Sequence, residues 1–198
     1  MVKADCRRRL MEVGTRLFAE RGLHGVSVRE LSRAAGASIS MISYYFGSKE
    51  GLYSSVLQEQ FACFDQIGDI RQQGASPLAV LEGYLRWTIQ RHRSNPYLLR
   101  FYTSELTNPT AYFATLVAPP IGNVIKILAD VIEEGRQQGQ FRPGINAVNA
   151  ALALAGMINY FFLSTLATES LTNHSPAQDE QLVGQYAAIF TQGIIAAP

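Results

Sequence analysis

Residues 27–46 read Ser27-Val28-Arg29-Glu30-Leu31-Ser32-Arg33-Ala34-Ala35-Gly36-Ala37-Ser38-Ile39-Ser40-Met41-Ile42-Ser43-Tyr44-Tyr45-Phe46, and this stretch decides the fold. Ser27 with Glu30 three residues on is a capping box, in which hydroxyl and carboxylate each satisfy an orphan N–H of a helix start. A helix over Val28 to about Ala35 follows, burying Val28, Leu31 and Ala35 and stopping at Gly36. Ala34, Ala35 and Ala37 are small enough for a second helix to approach closely across the turn. That helix runs from Ser38 or Ile39 to Tyr45, with Ile39, Ile42 and Phe46 toward a core. Ser38, Ser40, Met41, Ser43 and Tyr44 face outward, and Phe46-Gly47 ends the helix.

Two short helices joined in this way form a helix-turn-helix, whose second helix offers its N-terminal residues to the major groove of DNA. Serine hydroxyls donate or accept at base edges, and Met41 suits a thymine methyl. None of the five is the bidentate Arg, Asn or Gln that would name a base. Charge is distributed to match. Residues 1–51 hold nine Lys/Arg against five Asp/Glu, net +4, while the remainder is net −3. A basic head on a mildly acidic body is expected where only the head meets a polyanion, although solvated charge alone produces the same asymmetry.

Working outward, apolar spacing of three to four residues runs through the whole chain, and nothing reads as a sheet. The expected class is all-α, with about nine helices: a three-helix head and a larger helical body, divided as 1–50 and 51–198. The first helix spans Asp5–Arg21 with Leu10, Val13, Leu17 and Phe18 on one stripe and Gly22 after its end. A long fourth helix runs from about Lys49 to Gln73. Ser76-Pro77, Asn95-Pro96 and Asn108-Pro109 each mark a start, with a capping residue followed by proline at the first helical position. Pro119-Pro120 leads into Ile121–Gln138, and two last helices cover about Asn146–Thr168 and Ser175-Pro176 to Ile195.

Residues 6–53, written R-x-L-x-x-x-G-x-x-L-F-A-E-x-G-L-H-G-V-S-V-R-E-L-S-R-A-A-G-A-S-x-S-x-I-S-Y-Y-F-G-S-K-E-G-L-Y, resemble the TetR family of transcriptional regulators. Gly47 departs from the pattern, standing where many relatives carry a bulkier residue. Residues 54–198 resemble the family in length and helix number. The resemblance implies a double-stranded DNA operator as partner, a homodimer, and a small-molecule effector. It also implies roles by position: Ser38, Ser40, Met41, Ser43 and Tyr44 in the groove, and Ser27, Tyr45 and Lys49 at phosphates. Lysine is disfavoured at the positive N-terminus of a helix, a conflict that a phosphate beside Lys49 would remove. Taken singly, Tyr44 or Tyr45 also reads as a core aromatic, and Arg29 and Arg33 as partners of Glu30 or Glu12.

In the body, the small and apolar run Ala147–Ile158 is too apolar for a free surface. With Leu152 from that run and Leu182, Tyr186, Ile189 and Phe190 from the last helix it builds an intersubunit four-helix bundle, or else an ordinary core. Aromatic area gathers in the middle helices, and the candidate effector pocket is Tyr84, Trp87, Phe101, Tyr102 and Phe162. Glu105, Asn123 and Asn159 would orient the ligand. The same aromatics also suit plain core. Such a pocket implies a small, largely apolar or aromatic effector. A regulator that activates, or whose body is purely structural, is the competing reading.

Two cysteines, Cys6 and Cys63, and three scattered histidines make neither a disulfide framework nor a metal site. No nucleophile elbow, phosphate loop or zinc-protease motif is present, so no enzymatic activity, cofactor or metal is expected. No run approaches the roughly 18 uninterrupted apolar residues of a membrane span, and no apolar stretch follows the basic start. A cytoplasmic protein without a membrane partner is the expectation.

Overall fold

The structure, a computed structural model, describes residues 2–72 and 76–194, and the side chains of these except 2–4, 65 and 72. They form helices throughout: α1 (Val2–Arg21), α2 (Val28–Ala35), α3 (Ile39–Phe46), α4 (Lys49–Phe61), α5 (Ile67–Gln72), α6 (Pro77–Ser94), α7 (Leu98–Thr107), α8 (Ala118–Gln137), α9 (Ala147–Leu163), α10 (Thr165–Thr168) and α11 (Asp179–Ile194). Short 3₁₀ segments cover Ala62–Gln66 and Pro176–Gln178, and a π-helical turn covers Phe113–Val117. The chain divides into two compact units, Met1–Cys63 with Arg100–Pro119 and Phe64–Leu99 with Pro120–Pro198.

In the first unit α1 packs on α2, α4 and α3, and α4 on α3 and the π-turn. Leu10, Leu17, Phe18, Leu31, Ile42, Leu52, Tyr53 and Val56 fill its core. Two glycines make the turns possible. Gly36 closes α2 at φ +59°, and its N–H returns to the carbonyls of Arg33 and Ser32. Gly47 closes α3 at φ +78°, a conformation that a residue with a Cβ adopts only with strain. In the second unit α6 packs on α11, α9 and α5, around Leu81, Tyr84, Leu85, Ile89, Leu154, Ile158, Val183 and Phe190.

Several helix limits differ from the sequence expectation, each for a local reason. α1 begins at Val2 rather than Asp5. The fourth helix changes at Phe61 to a 3₁₀ segment before α5, and three residues per turn set Phe64 and Ile67 on one side, where both are buried. Gln73 and Ile195, the expected ends of two helices, lie outside the described residues. Asn95 donates no helix start at Pro96. It caps instead the N–H of Tyr97, and α7 begins at Leu98. Asn108-Pro109 starts no helix, because the N–H of Thr110 turns back to the Glu105 carboxylate. The segment before Pro119-Pro120 is already helical, since a π-turn feeds directly into α8. At Ser164 the helix expected to reach Thr168 breaks, where the Ser164 and Thr165 hydroxyls donate to carbonyls of Phe161 and Phe162.

One run, Phe113–Gln137, is long and apolar enough by composition to cross a membrane. Its buried side (Val124, Leu128, Val131 and Ile132) and its Lys126–Asp130 ion pair at 2.8 Å give it the two faces of a core helix.

Candidate nucleic-acid interface

The interface is built on α2 and α3. Ser27 and Glu30 form the complete capping box: the Glu30 N–H donates to Ser27 Oγ at 3.2 Å, and the Ser27 N–H to Glu30 Oε2 at 2.9 Å. Ser27 Oγ also donates to the same carboxylate at 2.8 Å, and Arg21 reaches Glu30 Oε1 at 2.9 Å. The Ser27 N–H, then the Arg21 guanidinium and the Ser27 hydroxyl, hold the Glu30 carboxyl down to about 2. Ser27 is exposed, but its hydroxyl is already spent within the box. Arg29 and Arg33 are exposed and pair with no carboxylate among the described residues.

α3 is left open. Ser38 stands at its N-cap with no side-chain cap bond; its hydroxyl meets that of Ser40 at 2.7 Å. The Met41 N–H returns to the Ser38 carbonyl at 3.0 Å, which leaves the N–H groups of Ile39 and Ser40 to meet an anion. Ser38, Ser40, Met41, Ser43 and Tyr44 are all exposed, Tyr44 by 68%. Ile42 is buried and Phe46 half-buried, but Ile39 is 49% exposed, contrary to the core position expected for it. It is the first residue of α3, one turn before Ile42, at the uncovered end of the helix. Tyr45 is half-buried against Tyr44, with ring centroids 4.9 Å apart, and burial raises its phenol above the ordinary value. Arg7 places its guanidinium 5.4 Å over the Phe46 ring and so ties the end of α3 to α1. Sequence spacing gave no signal for that contact.

Lys49 has partners other than the expected phosphate. Its ammonium donates to the carbonyls of Leu23 at 2.9 Å and Val26 at 3.0 Å, and the side chain is 16% exposed. These two carbonyls, together with Glu50 Oε1 at 4.0 Å, remove the conflict between a cation and the positive end of α4.

The expected pocket residues divide between the units. Phe101, Tyr102 and Glu105 belong to the first, where Glu105 is fully buried and accepts from Tyr53 and Thr110. Tyr84, Trp87, Asn123, Asn159 and Phe162 belong to the second. There Tyr84 stacks on Trp87, with centroids 6.4 Å apart, and Asn123 is exposed. Asn159 Nδ2 donates to the Ala155 carbonyl, so its Oδ1 faces His92 Nε2 at 2.8 Å and His92 is the donor. Burial lowers the His92 pKa, and the Phe162 ring lies 4.7 Å from its imidazole. His92 Nδ1 and Trp87 Nε1 are buried without a partner among the described residues. Two cavities in this unit, of ≈ 160 and ≈ 670 Å³, are lined by other residues, chiefly of 165–185.

The expected dimer residues divide as well. Leu182 and Phe190 pack inside their own unit, eight residues apart on one face of α11, and Tyr186 is half-buried edge-on to Phe161. Leu152 and Ile189 remain 52% and 60% exposed. Val148, Tyr160 and Leu163 extend the Leu152 row along α9, and all are exposed.

Comparison with known proteins bears on the family and the fold. Residues 10–56 match the family model of bacterial regulatory proteins of the tetR family, and residues 77–192 match that of a tetracyclin repressor-like C-terminal domain. The HTH-type transcriptional repressor NicS of Pseudomonas putida is 27% identical over 167 residues, covering 83% of this chain and 78% of the relative. The ketosteroid transcriptional regulator KstR2 of Mycobacterium tuberculosis superposes with a TM-score of 0.78 at 23% identity, over 96% of this chain and 95% of that one. AibR, solved with isovaleryl coenzyme A and operator DNA, gives 0.75 at 19% identity, over 93% and 97%.

Proposed function

The chain belongs to the tetR family of bacterial regulatory proteins, and from that premise we propose a ligand-responsive transcriptional repressor that binds a palindromic operator as a homodimer. The observation that carries this reading is α3: eight residues, held from behind by Ile42, with an uncapped start and a row of outward polar and aromatic side chains. Ser38, Ser40, Met41, Ser43 and Tyr44 read the groove; Tyr45 meets the backbone; Ser27 acts through the cap that fixes the start of α2, and Lys49 through the loop whose carbonyls it holds. Residues 1–50 carry this head, and residues 51–198 sense and dimerise. Two heads on one two-fold axis match the two halves of a palindrome. The exposed apolar row on α9, with Ile189 on α11, supports a second copy as the partner of that face.

The effector is small and largely apolar or aromatic. AibR, crystallised with an acyl-coenzyme A, and KstR2, a ketosteroid regulator, support an apolar ligand class. Release follows only if the effector binds the DNA-incompetent arrangement more tightly than the competent one. The protein works in the cytoplasm and catalyses no reaction. Selection of random DNA on the purified protein tests the reading. A palindrome is expected, bound with an affinity that falls steeply with salt. Recovery of no fragment above background would sink it.

A further inference from the structure

α1 carries its buried stripe past the end of the core. Leu10, Gly14 and Phe18 lie on that stripe and are buried, and Arg7, three residues before Leu10, continues it. There the stripe meets the end of α3: the Arg7 guanidinium sits 5.4 Å over the ring of Phe46, the last residue of that helix. The same turn of α1 sets Cys6 beside Tyr45, whose phenol is raised first by burial and then by that thiol. Arg8 and Arg9 are paired, with Asp5 and Glu12 and with Asp5. Arg7 is exposed, and among the described residues no carboxylate pairs with it and no acceptor meets its N–H groups. Arg16, Arg29 and Arg33 are exposed cations of the head as well, but among the described residues Arg7 is the one whose guanidinium rests on a side chain of α3.

A helix of eight residues is about 12 Å long, close to the width of the major groove, so phosphates lie near both ends of α3 when it enters. The N-terminal end has N–H groups for an anion. The C-terminal end has carbonyls, which repel one, so a phosphate there needs a cation. Lys49 is engaged by the carbonyls of Leu23 and Val26. We propose that Arg7 is a phosphate-binding residue of the head, with the Phe46 ring as the platform that holds its guanidinium at the C-terminal end of α3. The proposal rests on the repressor reading. Stacking covers one face of the guanidinium and leaves the N–H fork at its rim, and that fork matches two phosphate oxygens. A guanidinium already held on a ring also loses less freedom when it binds.

The test is the DNA affinity of the full-length protein at several salt concentrations, measured with a duplex recovered by selection and with a scrambled duplex of the same length. Arg7→Gln should weaken binding to both about tenfold and lower the salt slope by about one. Arg16→Gln removes an equal charge half a turn round α1 and should leave the slope as it is. Phe46→Leu should weaken binding in the wild type and add little in the Arg7→Gln background, since the ring acts through that guanidinium. Should Phe46→Leu fail to fold, Arg7→Lys replaces it: the charge and slope are kept, but binding is weaker than wild type because fork and stack are gone. A wild-type slope in Arg7→Gln overturns the phosphate role, whatever the variant does to stability. An equal loss of slope in Arg16→Gln overturns it too, since the effect is then one of net charge. Additive losses in the double variant, or wild-type affinity in Arg7→Lys, overturn the platform. Failure of the wild type to retain any DNA is seen before the variants are compared and overturns the repressor reading as well.

Discussion

The head and the second unit use polar side chains at different distances along the chain. In the head most bonds are local: Ser27 with Glu30, Ser48 Oγ accepting from the Gly51 N–H, both three residues apart. In the second unit the bonds that matter are remote. Arg86 meets Glu180 at a separation of 94 residues, Arg93 meets Asp179 at 86, and His92 meets Asn159 at 67. Arg93, in the last turn of α6, meets Asp179 in the first turn of α11, so that each charge also suits its own helix end, while Arg86 reaches Glu180 from the middle of α6. A head assembled from caps and turns is fixed by what stands three residues away. A body assembled from helix faces is fixed by what folding brings opposite.

The largest effect that bears on this contrast is expected at the open face of the second unit. Leu152→Glu combined with Ile189→Glu would force charge into the apolar surface proposed to meet a second copy. Loss of about 3 kcal/mol of association, or ~100-fold in operator affinity, is expected. Sedimentation should show monomers that remain helical. A pair of variants that stays dimeric with unchanged operator affinity would place the interface elsewhere and break the contrast.

That split between local and remote explains what the sequence revealed. The capping box at Ser27 and Glu30, the stop at Gly36 and the outward row on α3 all depend on spacing, and the structure has them where spacing puts them. Ile39 is the exception, because nothing in spacing says that a helix end lacks a neighbour. The pocket set was less legible. Phe101, Tyr102 and Glu105 read like Tyr84 and Trp87 in composition, yet they fall in a different unit, and only the fold reveals that Glu105 has Tyr53 and Thr110 as donors. Leu182 and Ile189 are alike as residues, but one is buried in its own unit and the other is exposed.

Lys49 gives a sharper test within the head, because its partners are 26 and 23 residues away in an otherwise local region. Lys49→Ala leaves two carbonyls unpaired at a half-buried site and should cost about 1–3 kcal/mol of stability. Operator affinity should fall alike for all sequences, with the salt slope unchanged. A phosphate contact would instead lower that slope by about one. Binding measured at several salt concentrations separates the two, and a reduced slope would return Lys49 to the phosphate.

The smallest effect is expected at Glu30. Its carboxyl titrates at about 2 in the fold and near 4.5 otherwise, so the folded head binds fewer protons than the unfolded chain between those values. The stabilisation is complete above about 4.5 and is lost as pH falls through about 2. Its size is small, since Arg21 and Glu30 are both open to solvent and screened. Glu30→Gln keeps the shape of the cap but removes the charge, and should flatten the dependence of head stability on pH across that window. The readout is the Ser27 amide, whose N–H donates to this carboxylate: its resonance should titrate in the wild type and stay fixed in the variant. An amide that titrates identically in both would show that the charge, and with it the tie between α1 and α2, contributes nothing to the cap.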